Sequence, residues 1–228
     1  NEFDISVLGP NCVGVMDTNT PINASFTAAV PMKGDVAFIS QSGATLLAAL
    51  DWSSTVGLGY SQVVSIGNKA NTNEIDYIEE AANDPGTKVI MCYLEDITDG
   101  PRFLKVAGEA AKKKPVIVYK AGVSQAGAKA ASSHTGALAG SDLAYETAFK
   151  QAGIIRAHSM TELFELAIAF TRCPIPAGDR VAIVTNSGGP GIIATDNVEL
   201  KGLKMAQFEE STIQALRENL PRECNIYN

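Results

Sequence analysis

Short, unbroken apolar runs recur along this chain, and most are followed by a Gly- or Ser-containing turn and then a helical pattern. Val36-Ala37-Phe38-Ile39 and Val116-Ile117-Val118-Tyr119 are continuous rather than alternating. A strand apolar at every position must be covered on both faces, which is how strands read in a parallel sheet between two helix layers. Strands are predicted over residues 5–8, 35–40, 61–66, 88–94, 115–120 and 180–185. Helices are predicted over 44–55, 74–83, 101–114, 141–152, 159–170 and 190–200, with Ser141 and Ser159 as N-caps. The order βαβαβα specifies an α/β fold with a doubly wound parallel sheet of the flavodoxin-like kind.

A chain of 228 residues makes one large or two small domains, and folding at this size buries roughly 70% of the unfolded surface. Cys173-Pro174-Ile175-Pro176-Ala177-Gly178 interrupts the pattern with two prolines and a glycine and reads as a linker. Beyond it the opening unit recurs. Val181-Ala182-Ile183-Val184-Thr185-Asn186-Ser187-Gly188 repeats Val36-Ala37-Phe38-Ile39-Ser40-Gln41-Ser42-Gly43 as strand, hydroxyl, amide, Ser-Gly, helix. The expected organisation is a flavodoxin-like domain over 1–172, a linker over 173–179 and the start of a second, truncated flavodoxin-like domain over 180–228. The first residue is not methionine and the last lie just past a helical pattern, so the chain reads as a fragment.

The formal charge of −7 argues against nucleic acid or an anionic membrane as partner, because those are recognised by Lys/Arg surfaces. No apolar run approaches the ~20 residues of a membrane span, and no signal peptide is visible. Cys12, Cys92, Cys173 and Cys224 are scattered without a Cys-x-x-Cys pair; three of them, in apolar or proline-adjacent contexts, read as reduced core thiols of a cytoplasmic protein, and no metal site is expected.

Five motifs carry chemistry. Ser40-Gln41-Ser42-Gly43-Ala44 ends a strand and opens a helix, putting free backbone N–H groups where α/β sheets bind ligands and where a helix end attracts an anion. One helix end is worth only about 0.3–1 kcal/mol to a surface anion, and the same residues also serve as a plain tight turn. No lysine follows the glycine, which excludes a Walker loop, and the hydrolase Gly-x-Ser-x-Gly elbow is absent. Asn186-Ser187-Gly188-Gly189-Pro190 is a second phosphate loop or a domain-opening turn, with Pro190 expected near the first helical position. His134, one of two histidines, lies in Ser133-His134-Thr135-Gly136 inside the Gly/Ala/Ser-rich segment 121–140. A neutral imidazole is a nucleophile at pH 7, and about 20 extended residues span some 65 Å, enough to carry such a group between two sites. Glu95 ends an apolar strand at the ligand edge, where a carboxylate can fix an imidazole tautomer; Asp96 is the next candidate. Gly67-Asn68-Lys69 follows another strand; its glycine and amide meet the acyl or phosphate portion of a substrate, with Lys69 adding charge, or it forms an ordinary turn. His158 reads as structural, Trp52 as packing, and Lys112-Lys113-Lys114 as a solvated helix end.

Taken together, Gly9-Pro10-Asn11-Cys12-Val13-Gly14, Phe38-Ile39-Ser40-Gln41-Ser42-Gly43, Ser65-Ile66-Gly67-Asn68-Lys69, Tyr93-Leu94-Glu95, Ser132-Ser133-His134-Thr135-Gly136 and Asn186-Ser187-Gly188-Gly189-Pro190-Gly191 resemble the NDP-forming acyl-CoA synthetases. These are the ADP-forming acetyl-CoA synthetases, relatives of succinyl-CoA synthetase. The resemblance covers essentially the whole chain, with the motifs in order. It implies a ligase forming a carbon–sulfur bond, in which acyl-CoA, ADP and phosphate give acid, ATP and CoA through an acyl phosphate. It also implies that His134 carries the phosphoryl group, that Glu95 orients it, that Ser42-Gly43 holds the phosphate, and that Asn11, Gly67, Asn68 and Lys69 lie on the substrate or CoA side. CoA or acyl-CoA, phosphate and ADP/ATP with Mg are the implied ligands. An ATP-grasp domain or beta subunit and a preceding CoA-binding domain are the implied partners, in a homo- or hetero-oligomer; alone, the chain is expected to be inactive. The family usually has glycine after the glutamate; here Asp96 stands there. A non-catalytic CoA- or phosphate-binding regulatory module is the alternative. An FMN-binding flavodoxin is disfavoured by the missing hydroxyl-rich phosphate loop and aromatic flanks.

Overall fold

The computed structural model describes residues 5–124, 127 and 142–226. Two compact units make up the chain, Asn1–Pro174 and Ile175–Asn228.

In the first unit, strands β1 (Gly14–Asp17), β2 (Ile22–Ser25), β3 (Lys33–Ser40), β4 (Tyr60–Ser65), β5 (Val89–Leu94), β6 (Val116–Lys120) and β7 (Ile155–Ala157) form one sheet in the order β2-β1-β4-β3-β5-β6-β7. The five strands from β4 to β7 are mutually parallel. Their order is the flavodoxin-like 2-1-3-4-5. Helices α1 (Gly43–Val56), α2 (Glu74–Asn83), α3 (Gly100–Ala111) and α4 (Asp142–Ala152) lie between them in the chain, and α5 (Met160–Arg172) follows β7.

The unbroken apolar runs serve two cores. Ala37 and Ile39 face Ile78, Phe103 and Phe149 of α2, α3 and α4. Val36 and Phe38 face Leu46, Leu163 and Ala167 of α1 and α5. A period of two splits one strand between two helix layers, so the central positions on both faces are apolar, while β4 also buries Ser61, Gln62 and Ser65.

The antiparallel pair was not expected from the sequence. β1 pairs antiparallel with both β2 and β4, adding two four-residue strands at one edge of the sheet. The strand predicted at 5–8 does not form. Its backbone is held instead by side chains: Val7 N–H donates to Asn71 Oδ1 at 2.7 Å, Asn71 Nδ2 donates to Ile5 O at 2.7 Å, and Thr72 Oγ1 donates to Val7 O at 2.9 Å. These bonds satisfy the backbone without a ladder.

Other readings are refined. Ser159 caps α5, accepting from Glu162 N at 3.0 Å, and Glu162 Oε2 accepts from the N–H of His158, one residue before the cap, at 2.7 Å. Trp52 packs on Phe164 with ring centroids 4.7 Å apart. Lys114 is not simply solvated: its ammonium donates to Ala81 O at 2.8 Å and to Asp84 O, closing the carbonyl end of α2. Of the cysteines, Cys92 is a core thiol, Cys12 is half-buried, and Cys173 and Cys224 are exposed. Ser141 lies outside the described residues. No described helix is long and apolar enough to cross a membrane.

In the second unit, β8 (Arg180–Val181) and β9 (Lys204–Met205) pair in parallel, with α6 (Gly188–Leu200) between them and α7 (Glu210–Asn219) after. The strand is shorter than the predicted 180–185, and Pro190 is the third residue of α6 rather than the first.

Candidate functional site

Parallel strands point their carboxyl ends the same way, so the turns after β3, β4, β5 and β6 share one edge of the sheet. Ser42 opens α1 there. Its hydroxyl accepts from Thr45 N at 3.2 Å and from Thr45 Oγ1 at 3.0 Å, and Ser40 Oγ donates to Ser42 O at 2.8 Å. The N–H groups of Gly43 and Ala44 have no acceptor within the helix, by helix geometry, and point outward from its positive end.

Gln41 is positioned differently from the sequence expectation. Its backbone N–H donates to Tyr93 O at 2.9 Å. Its side-chain Oε1 accepts from Glu95 N at 2.9 Å and Asp96 N at 3.1 Å, and its Nε2 donates to the Asp96 carboxylate. These groups are committed to the turn after β5, so the phosphate-binding part assigned to this turn rests on Ser42, Gly43 and Ala44.

Glu95 stands at that exit. Its backbone is gripped on both sides, since its N–H meets Gln41 and its carbonyl accepts from Lys120 Nζ at 2.5 Å. Its carboxylate accepts no hydrogen bond from another described residue. Lys120, at the end of β6, also donates to Ala121 O at 2.6 Å and lies 4.8 Å from the Tyr145 ring centroid. Burial pulls the Lys120 ammonium below the usual lysine range, against the nearby Asp96 and Glu95 charges. Sequence reasoning missed Lys120. Its signal was the one that marked Glu95, a charged residue closing an apolar strand.

Asn11 and the loop 65–70 are brought together. Asn68 N–H donates to Pro10 O at 2.9 Å, Ala70 N–H to Gly9 O at 2.8 Å, and Asn11 Nδ2 to Asn68 Oδ1 at 3.2 Å. Val13 N–H donates to Ser65 Oγ at 3.0 Å. Gly67 has φ +55°, and a Cβ there would lie 2.2 Å from Pro10 O. Asn11 and Lys69 also take left-handed backbone, at φ 56° and 54°, a conformation non-glycine residues hold mostly where surroundings force it, often at functional sites.

Lys69 does not offer its charge outward. Its buried ammonium lies 2.9 Å from Asp96 Oδ1 and 3.2 Å from Glu74 Oε2, and it donates to Asp96 O at 3.1 Å. The Glu74 carboxylate meets the Lys69 ammonium as an ion pair and has no other side-chain partner among the described residues. Glu74 is fully buried at the start of α2. That burial raises its pKa above the usual carboxylate range, although Lys69 pulls the other way.

His134, Ser133, Thr135 and Gly136 lie outside the described residues. The chain that contains them leaves the sheet at the carboxyl end of β6, since β6 ends at Lys120 and α4 begins at Asp142. In the second unit, Thr185 Oγ1 donates to Ser187 O at 3.1 Å and accepts from Ser187 N at 3.1 Å. The first of these repeats the bond from Ser40 to the Ser42 carbonyl. Ser187 makes no side-chain cap bond, because Pro190 stands where Thr45 does and has no N–H to give. Asn186, Gly188 and Gly189 complete that turn.

The family of the succinyl-CoA ligase like flavodoxin domain matches residues 33–170. The chain belongs to this family. The succinyl-CoA ligase like flavodoxin domain accounts for β3 through most of α5 and places the Ser42 turn and Glu95 inside the matched span. The acetate–CoA ligase [ADP-forming] I of Archaeoglobus fulgidus is 50% identical over 226 residues, which are 99% of this chain and 33% of that protein. The alpha subunit of acetate–CoA ligase [ADP-forming] II of Pyrococcus furiosus is 46% identical over 228 residues, covering 100% of this chain and 50% of the subunit. A solved structure of the dinucleotide forming acetyl-coenzyme A synthetase 1 of Ca. Korarchaeum cryptofilum, in complex with phosphate and ADP, matches with a TM-score of 0.93 at 40% identity. It covers 100% of this chain and 49% of that one. This chain therefore spans about a third to a half of the length of these relatives.

Proposed function

We propose that this chain is the phosphoryl-handling part of an ADP-forming acyl-CoA synthetase, with acetyl-CoA as the expected substrate. The observation that carries the reading is the shared sheet edge. The uncommitted N–H groups at the start of α1, the backbone-gripped Glu95 and the departure of the His134-containing segment all occur there. A phosphate held at α1 attacks the thioester carbonyl; the carbon–sulfur bond breaks, CoA leaves, and an acyl phosphate forms. A ring nitrogen of His134 then attacks phosphorus and the carboxylate leaves. Glu95 accepts the other ring N–H and keeps the attacking nitrogen unprotonated. A phosphohistidine carries roughly two negative charges and is met by backbone N–H groups and a helix end. An oxygen of the ADP β-phosphate takes the phosphoryl group, giving ATP and free His134.

In this reading Ser133, Thr135 and Gly136 flank the carrier, and Asn11, Gly67 and Asn68 lie on the CoA side. CoA is completed by a CoA-binding domain, and ADP with Mg by an ATP-grasp domain or beta subunit, both outside this chain. The unit 175–228 is the start of a second flavodoxin-like domain, a reading supported by the hydroxyl-to-carbonyl bond common to its opening turn and to the turn at Ser42. Asn186, Ser187, Gly188 and Gly189 form its phosphate loop.

The test is phosphoryl transfer from radiolabelled ATP to the full-length protein with its ATP-grasp partner. Acid-labile, base-stable label that is absent from His134→Ala supports the mechanism. Equal labelling of His134→Ala, or no label on the intact protein, sinks it.

A further inference from the structure

Three turns that follow three different strands are tied together at the proposed site by one chain of polar contacts. Gln41 comes from the turn after β3, Lys69 from the turn after β4, and Glu95 and Asp96 from the turn after β5. Gln41 is 7% exposed, and the Lys69 and Asp96 side chains are 6% and 12% exposed. The order of contacts is fixed by chemistry. Two backbone N–H donors, of Glu95 and Asp96, meet one side-chain oxygen of Gln41. A flipped amide would face those donors with its own NH2 group, so Oε1 must take them and Nε2 must point away. What Nε2 meets is the Asp96 carboxylate, itself anchored by Lys69 Nζ at 2.9 Å.

We propose that Gln41 and Asp96, braced by Lys69, act as positioning residues that hold the Glu95 backbone in register with the phosphate-binding end of α1. The proposal rests on the assignment of Glu95 as the group that orients the phosphoryl-carrying histidine. Asp96 supplies a carboxylate that locks the orientation of the Gln41 amide. The charged and titratable groups facing this clamp include Lys69, Glu74 at the start of α2, Tyr93 in β5 beside Glu95, Lys120 at the end of β6 and Tyr145 on α4.

Substitutions at Gln41 test the clamp. Gln41→Glu sets one carboxylate against another, and two such groups cannot both stay ionised at hydrogen-bond distance. Gln41→Met, of similar length, removes both the acceptor and the donor and has no charge to titrate. In the full-length protein with its ATP-grasp partner, the rate of acid-labile labelling from ATP is measured from pH 5.5 to 8.5 and divided by the wild-type rate at each pH. Displacing a positioned group by about 1 Å costs on the order of 10²-fold. Gln41→Glu should therefore lose about that much at high pH and regain rate as the pH falls and a shared proton rebuilds the contact. Gln41→Met should be slowed by a similar factor at every pH, with no recovery at low pH. A misfolded Gln41→Glu would not be rescued by pH. Wild-type rates in either variant, or a loss in Gln41→Glu that is as flat with pH as that in Gln41→Met, would overturn the clamp.

If wild type itself takes no label, the function reading fails, and the clamp is then judged by hydrogen exchange alone. Gln41→Ala removes the acceptor of the Glu95 and Asp96 amides, which should exchange at least tenfold faster than in wild type. Unchanged exchange would overturn the clamp without reference to activity.

Discussion

Ser42 and Ser187 occupy the same place in two copies of one turn, yet only one of them caps a helix through its side chain. Thr45 offers an N–H at 3.2 Å from Ser42 Oγ, and Pro190 offers none. Removing a working serine cap costs about 1 kcal/mol. Ser42→Ala should therefore destabilise the start of α1 by about that amount, and Ser187→Ala should leave α6 nearly unchanged. Site-resolved hydrogen exchange of the two first turns in the full protein measures both. Equal losses would mean that the hydroxyl at Ser187 is engaged after all. The same scale explains why Gln41 and Lys69 were misjudged from sequence. A buried lysine and a buried amide look like ligand groups until their partners are known, and those partners sit 55 and 27 residues away in the chain.

At the scale of elements, β3, β5 and β6 were legible because burial on both faces makes their central positions an unbroken apolar run, whereas β4 buries Ser61, Gln62 and Ser65 around its Val63-Val64 centre. The helix 74–83 was legible to the residue because Asn73 caps it and Asp76 returns the bond to Asn73 N at 3.0 Å. β1 and β2 were not legible. They have four residues each, and β2 is almost wholly exposed, so neither carries an apolar run or a clean alternation; cross-strand partners define them. The Glu95 position was legible as a strand end, but its double grip by Gln41 and Lys120 was not. The docking of the loop 9–13 on the loop 65–70 depends on Gly67, where a side chain would meet both a left-handed backbone and Pro10 O at 2.2 Å. Gly67→Ala should destabilise the first unit by more than ~1 kcal/mol, read as a lowered thermal midpoint. An unchanged midpoint would show that the two loops separate freely.

For the whole molecule, the buried Glu74 links stability to pH. Its pKa is raised above 4.5 in the folded state, first by burial. The folded protein therefore keeps this proton at pH values where the unfolded chain has released it. The sign follows: this group's contribution is most favourable below about 4.5 and is lost as pH rises from there through the raised folded value. Glu74→Gln removes the titration. The difference in unfolding free energy, wild type minus Glu74→Gln, should fall as pH climbs from 4.5 toward neutrality. A difference that stays flat or rises would show that the Lys69 ion pair outweighs burial. Denaturant titrations of both proteins at several pH values give the answer.

The docked loops have one further consequence. The family match begins at residue 33, whereas Gly9 and Pro10 supply carbonyls that receive the N–H groups of Ala70 and Asn68. A protein assembled by borrowing 33–170 alone would carry the five parallel strands and most of their helices, but it would leave behind the antiparallel pair and the strip of upstream chain on which the loop 65–70 leans.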